Sequence, residues 1–350
     1  MIGWLNLTDE QRSITLEQAA VKSGITTKAL EKDWWVSLVL KALFETQYSS
    51  YFVFKGGTSL SKGYRLIQRF SEDIDIALSP EAFGRKYKSK PSHSYVKRMK
   101  KEGCTFTSTL LKEALAQSLY TVGIKADTLV VTADRVSPGR PDKDPQTLYV
   151  QYRSLYPPHA YLRDEVKVEF SVRSLVEPHE NVPIQSLLWE YFPNKAYEEI
   201  PAIIRTTLPA KTFLEKLFLL HEKFPRISKL ENKKELLTVE RGSRHLYDVV
   251  KMDEDGIADS VMANPELYTT LVLHRRHWIR LKGVDYNSLH PTTLSFVPPQ
   301  ETIEKYRADY AVMLKEMIYV PYHDFETLLE KLRDLNKRFK NMQLPLPVAG

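Results

Sequence analysis

The chain reads as an α/β protein, more narrowly α+β: a mixed-sheet core with helices before it and a mainly helical C-terminal domain after it. Three observations predict this. Short β-prone or alternating runs, YFVFKGG, DIDIAL and EVKVEFSV, cluster between residues 51 and 172. Helical periodicity precedes them from about Glu17 to Glu45, and it returns in five segments beyond Pro209.

In chain order, apolar positions Leu30, Trp34, Val36, Leu38, Leu40 and Leu43 belong to a helix with a break at Gly24. YFVFKGG is a strand ending in paired glycines, Ser59 to Arg69 has helical composition, and DIDIAL alternates as a strand should. A basic stretch follows as an insertion marked by Pro91 and Gly103, and a helix is expected from about Phe106 to Val122. Strands LVVTADRV and TLYVQYR flank a turn-rich segment. In EVKVEFSV, Val166, Val168, Phe170 and Val172 face one way and Glu165, Lys167, Glu169 and Ser171 the other. A connection punctuated by Pro178, Pro183, Pro193, Pro201 and Pro209 leads to the C-terminal helices. The expected organisation is an N-terminal helical segment 1–45, a core 46–200 with a basic insert 81–103, and a helical domain 201–350.

At 350 residues with 43% hydrophobic content, a sizeable core is available. The longest apolar runs, such as Trp34 to Phe44, are interrupted by Ser37 and Lys41, so no membrane span is expected. The first residues carry acids where a signal peptide would be basic, and a lone Cys104 excludes an internal disulfide framework or multi-cysteine metal site. These features favour the cytoplasm.

The net charge of +6 is local. Eight basic residues and no acidic one lie between Arg85 and Lys101, and without them 42 basic face 44 acidic residues, a net −2. Such a patch suits a polyanion, with Tyr87, His93 and Tyr95 as base-stacking candidates. A solvated charged loop has the same composition.

The chemistry concentrates in FKGGTSLSKGYRLIQRFSEDIDIAL. Gly56 and Gly57 at a strand-to-helix junction let backbone N–H groups approach a phosphate, with the Thr58 and Ser59 hydroxyls at the same turn. Asp73 and Asp75 project to one face of the following strand. Two adjacent carboxylates favour a cation between them, and hard oxygens beside a triphosphate suit Mg²⁺. Either motif alone is common in structural roles; the ordered combination points to a catalytic site.

Glycine-hydroxyl, helix, D-x-D resembles the polymerase-β-like nucleotidyltransferase superfamily. Lys55-Gly56-Gly57-Thr58-Ser59-Leu60, Arg69-Phe70-Ser71-Glu72-Asp73-Ile74-Asp75 and the EKDWW segment at Glu31 to Trp35 resemble, more narrowly, the AbiEii family of type IV toxin–antitoxin systems, which includes MenT-like toxins. The resemblance implies a third carboxylate, best matched by Glu169, whose other reading is an exposed partner of Lys167. Thr212 to Leu217 resembles the family's T-x-x-E-K-L helix, making Lys216, on the flank of the apolar stripe, the phosphate-contacting lysine; Thr212 and Glu215 also fit a capping box. Arg244 to Asp248 resembles R-x-L-Y-D with a functional Asp248, which by spacing alone would pair with Arg244.

The implied activity is NMP transfer from an NTP to an acceptor, foremost the 3′ end of tRNA, inhibiting growth or translation. Asp73, Asp75 and Glu169 would bind Mg²⁺ (or Mn²⁺), Gly56, Gly57, Thr58 and Ser59 would hold phosphate, and Lys216 would neutralise triphosphate charge. Arg69, Ser71 and Asp248 would support the pocket, the C-terminal domain would complete the site, and a cognate antitoxin would be the protein partner. A second reading is phosphoryl or nucleotidyl transfer to protein, including a serine of its own such as Ser71. A third, from LEQAAVKSGITTKALEKD, is a helix-turn-helix DNA-binding regulator. His274 and His277 (i, i+3) suggest a basic surface rather than a metal site, His221 a satisfied core residue, and Cys104 no catalytic context. The basic insert and the tail beyond about Tyr268 lie outside the resemblance.

Overall fold

The computed structural model describes residues 2–125, 128–159, 162–229, 239 and 241–344. The chain divides into two compact units, Met1–Arg65 with Phe70–Thr207, and Leu66–Arg69 with Leu208–Gly350.

The first unit opens with α1 (Asp9–Ser23), capped by Thr8 and Gln11 in a reciprocal capping box. It ends at Gly24, whose φ of 71° is the left-handed conformation glycine adopts without a Cβ penalty. Then α2 (Thr27–Phe44) starts from a Thr26 cap. Nearly every residue of α2 is buried, including Glu31, Lys32 and Asp33. A helix buried all round has no face left for a DNA groove, which removes the helix-turn-helix reading.

The seven strands are β1 (Phe52–Lys55), β2 (Ile74–Leu78), β3 (Leu129–Ala133), β4 (Gln146–Tyr152), β5 (Glu165–Ser171), β6 (His179–Ile184) and β7 (Ala202–Thr207). They form one mixed sheet in the order β3-β4-β5-β2-β1-β7-β6, parallel at β2/β5 and β1/β7 and antiparallel elsewhere. Strands β6 and β7 lie where the sequence suggests only a proline-punctuated connection. Pro183 is tolerated because β6 is an edge strand with one side of its backbone unpaired.

Register sorts the two faces. Phe54, Ile76 and Phe170 align across β1, β2 and β5 and are at most 1% exposed. On this face α2 packs through Phe44 against Phe52, and through Trp35, stacked on Tyr152 with centroids 4.7 Å apart. Burying each such aromatic contributes about 2–3 kcal/mol. Odd-numbered residues of β2 and β5 point the other way.

Two helix expectations need correction. The helix after the glycines, α3 (Gly56–Lys62), is short and does not reach Arg69. Arg65 takes a left-handed φ of 55°, and Leu66–Arg69 join the second unit, so tertiary partners override helical composition. Conversely, the basic stretch is half helical: α4 (His93–Phe106) continues through a π-helical turn at Thr107–Leu111 into α5 (Lys112–Thr121). Tyr95, Val96 and Met99 are its buried stripe.

The second unit is built of helices Pro209–Lys229, Ser243–Glu254, Ile257–Met262, Pro265–His274, Ile303–Glu316 and Phe325–Lys340. Its core includes Phe213, Leu217, Tyr247, Tyr268 and Tyr306. No helix among the described residues is long and apolar enough to cross a membrane.

Candidate active site

Asp75 sits in the middle of a cross-strand row. Its register partner on β1 is Lys55 and on β5 is Glu169, which in turn aligns with Thr147 on β4. Ile74 and Ile76 are 0% and 1% exposed, whereas Asp73, Asp75 and Glu169 are half-buried. The strand alternation therefore brings Asp75 and Glu169 to the face of the sheet opposite α2, and Asp73, one residue before β2, lies close enough to act on the Lys167 charge of that face. Glu169 is not alone there, since Lys167 Nζ lies 2.6 Å from its Oε1. Burial would lower the Lys167 pKa, but the Glu169 hydrogen bond and charge, with Asp73 adding to them, raise it.

The glycine turn is built against Asp75. Gly56 has φ +81°, and a Cβ there would collide with the Asp75 carboxylate. Both facts demand glycine, one for backbone strain and one for space. The neighbouring hydroxyls turn inward. Thr58 Oγ1 donates to the Asp73 carbonyl at 2.5 Å and lies 2.9 Å from Ser71 Oγ. Ser59 Oγ donates to the Gly56 carbonyl at 2.9 Å. Thr58 and Ser59 are 1% and 0% exposed, so they shape the turn and pin the Asp73 backbone instead of presenting hydroxyls to solvent.

Sequence reasoning noted the EKDWW segment but missed what its charges do. Glu31 accepts from Ser154 Oγ and the Leu155 N–H at 2.5 and 2.8 Å. Burial raises its pKa, against those bonds. Lys32 Nζ is 2.8 Å from Glu72, the residue before Asp73. Asp33 holds Lys62 Nζ at 2.5 Å and the Leu187 N–H at 2.7 Å. Three successive charges inside a largely apolar helix were the available signal, because buried charges persist only when paired.

In the second unit, Asp248 is fully buried between two cations from distant parts of the chain. Arg69 grips it in a fork, with Nε 2.7 Å from Oδ1 and Nη2 2.8 Å from Oδ2, and Lys216 Nζ lies 2.8 Å from Oδ2. Burial would raise the Asp248 pKa, but Arg69 and Lys216 hold it well below the usual carboxylate range. Burial lowers Lys216, with Asp248 opposing. Two cations on one carboxylate leave a positive excess, to which nearby Arg244 adds. Lys216 is only 7% exposed, more enclosed than a flank position suggests. Thr212 lies inside a helix that starts at Pro209, which removes the capping-box reading of Thr212 and Glu215.

Most of the basic stretch is exposed, but not all of it is unpaired. Arg85 forms a bidentate pair with Glu102, at 2.8 and 3.0 Å, and Lys100 meets Asp142 at 2.8 Å. Tyr95 is not a stacking platform. It is 8% exposed and lies beneath Lys88 Nζ and the Arg98 guanidinium, 4.6 and 5.3 Å from the ring centroid. His93 and Tyr87 are exposed. His221 is a satisfied core residue, its ring nitrogens held by Ser288 Oγ at 2.8 Å and the Ser295 N–H at 2.9 Å. His274 is buried and stacked on Trp278, and Cys104 is buried.

Asp73, Asp75 and Glu169 offer only hard carboxylate oxygens, the donor type of a Mg²⁺-class ion. Among the described residues no three His, Cys, Asp or Glu already converge as a cluster, and Glu169 is engaged by Lys167. The donor chemistry of the three carboxylates fits a divalent ion.

A family model described as nucleotidyl transferase AbiEii toxin, type IV TA system, matches residues 38–331. Among solved structures the chain is similar to MenT4, a nucleotidyltransferase toxin from Mycobacterium tuberculosis H37Rv. That match has 17% identity and a TM-score of 0.41 and covers 95% of this chain and 99% of that chain. No curated protein matches.

Proposed function

The chain belongs to the AbiEii family of nucleotidyltransferase toxins of type IV toxin–antitoxin systems, and on that basis we propose that it moves NMP from an NTP to the 3′ end of tRNA with Mg²⁺, and so inhibits growth. The family implies the NTP substrate and an antitoxin partner. One observation carries the assignment of the centre: Asp75 stands in register between Lys55 and Glu169, with the Gly56 backbone pressed against its carboxylate.

Asp73 and Asp75 would hold the metal, joined by Glu169 once it leaves Lys167. When bound, the cation supplies Lewis-acid activation of the attacking hydroxyl and neutralises charge on the departing pyrophosphate. The Gly56 and Gly57 backbone approaches phosphate, while Thr58, Ser59 and Ser71 keep that turn and the Asp73 strand in place. Glu169 is suited to take the proton of the acceptor hydroxyl as its oxygen attacks the α-phosphorus. The positive excess around Asp248 supports assigning Lys216 to triphosphate charge, with Arg69 and Asp248 fixing its position. The exposed lysines of the basic stretch would follow the acceptor's backbone.

The test is incubation of the full chain with total RNA and each labelled NTP, beside Asp75→Ala. Label on RNA that disappears with Asp75→Ala is the expected result. Label on the chain with none on RNA would move the reading to protein transfer, and no transfer at all would overturn it.

A further inference from the structure

We propose that a pocket in the first unit, away from the Asp73–Asp75 face, binds a phosphate-bearing ligand. It has a volume of about 410 Å³ and is lined by Asp9, Arg12, Trp35, Lys125 and Arg153 among others. That volume accommodates a mononucleotide. Trp35 belongs to the opposite face of the sheet, stacked on Tyr152, and no residue of the carboxylate row contributes. Asp9, Arg12 and Trp35 all precede residue 38, where the family match begins.

Three cations face one carboxylate here. Arg12 pairs with Asp9 and lies over the Trp4 ring, 5.4 Å from its centroid. Arg153 reaches Asp9 only at 3.9 Å, and its side chain is 87% exposed. Two of the lining residues also carry a buried donor, Arg12 Nε and Trp35 Nε1, with no hydrogen-bond partner among the described residues. Buried N–H groups are rarely left so, because an unmade bond carries the full desolvation cost. A recess lined by Arg12, Lys125 and Arg153 is suited to an anion, and guanidinium forks match phosphate oxygens. Asp9 occupies the arginines until a competing anion arrives.

Titration calorimetry on the full chain tests this, with inorganic phosphate and AMP as separate probes. Saturable binding is expected, weakened roughly tenfold by Arg153→Gln, which removes one charge-assisted hydrogen bond, and strengthened by Asp9→Asn. Nucleotidyl transfer should be unchanged in both variants. AMP binding tighter than phosphate identifies a nucleotide as the ligand; equal binding identifies free phosphate. The proposal fails if neither probe binds at millimolar concentration, or if Arg153→Gln binds as the unaltered chain does. Because Arg153 is exposed, its substitution leaves the fold intact, and failure here says nothing against the nucleotidyltransferase centre.

Discussion

Asp33 and Lys62 form an ion pair of 2.5 Å in which both side chains are at most 4% exposed. Asp33 thereby fixes the last residue of α3, while its neighbour Lys32 fixes Glu72, next to Asp73. Two adjacent residues of one buried helix thus brace the chain on either side of the segment that separates the glycine turn from the carboxylates.

Removing one partner strands a buried charge, which costs about 3–5 kcal/mol. Asp33→Ala should lower the urea-unfolding free energy of the first unit by that order. The double change Asp33→Leu with Lys62→Met should recover most of it. A loss below about 1 kcal/mol would mean the pair is solvated.

Gly56→Ala tests the close approach to Asp75. The added methyl meets the carboxylate, and the positive φ costs a further ~1 kcal/mol for any L-residue. Transfer activity should fall at least tenfold, a barrier increase of about 1.4 kcal/mol. Gly84→Ala, with a φ of +74° but open space around it, should leave activity intact and show only the backbone cost.

Acid should destabilise the second unit in two windows. His221 has its pKa lowered by burial, so its contribution is present above the ordinary value of 6.5 and is lost as pH falls below it. Asp248, also depressed in the fold, keeps its contribution above about 3.8 and loses it as pH falls further. Unfolding free energies between pH 7 and 5 should decline for the unaltered chain and decline less steeply in His221→Gln, the remaining slope coming from His245, whose pKa burial lowers further. An equal slope in both would exclude His221 as the titrating group.

The basic stretch predicts salt-dependent RNA binding. Replacing Lys86, Lys90, Lys97 and Lys101 with Gln should reduce tRNA affinity and lower the slope of log K against log salt by roughly 3, at about 0.7–0.9 for each phosphate no longer neutralised. Filter binding across salt concentrations measures this. An unchanged slope would assign the acceptor to another surface.

The residues of the candidate centre could be read from the chain before any fold was in view. Gly56, Asp73 and Asp75 stood out because a strand's two-residue period and a glycine turn are local, and local rules are written in consecutive residues; Glu169 was singled out only through the family resemblance. β6 and β7 were not legible, since an edge strand with a proline follows no such period. Nor was the short α3: Arg69, which helical composition places on the same helix, instead pairs with Asp248, 179 positions away. Tertiary structure also decided that Thr58 and Ser59 turn inward, that Tyr95 is buried beneath Lys88 and Arg98, and that the EKDWW charges are braces. In each case the outcome rests on desolvation: a polar or charged group leaving water needs a partner, and only the folded chain brings that partner within reach.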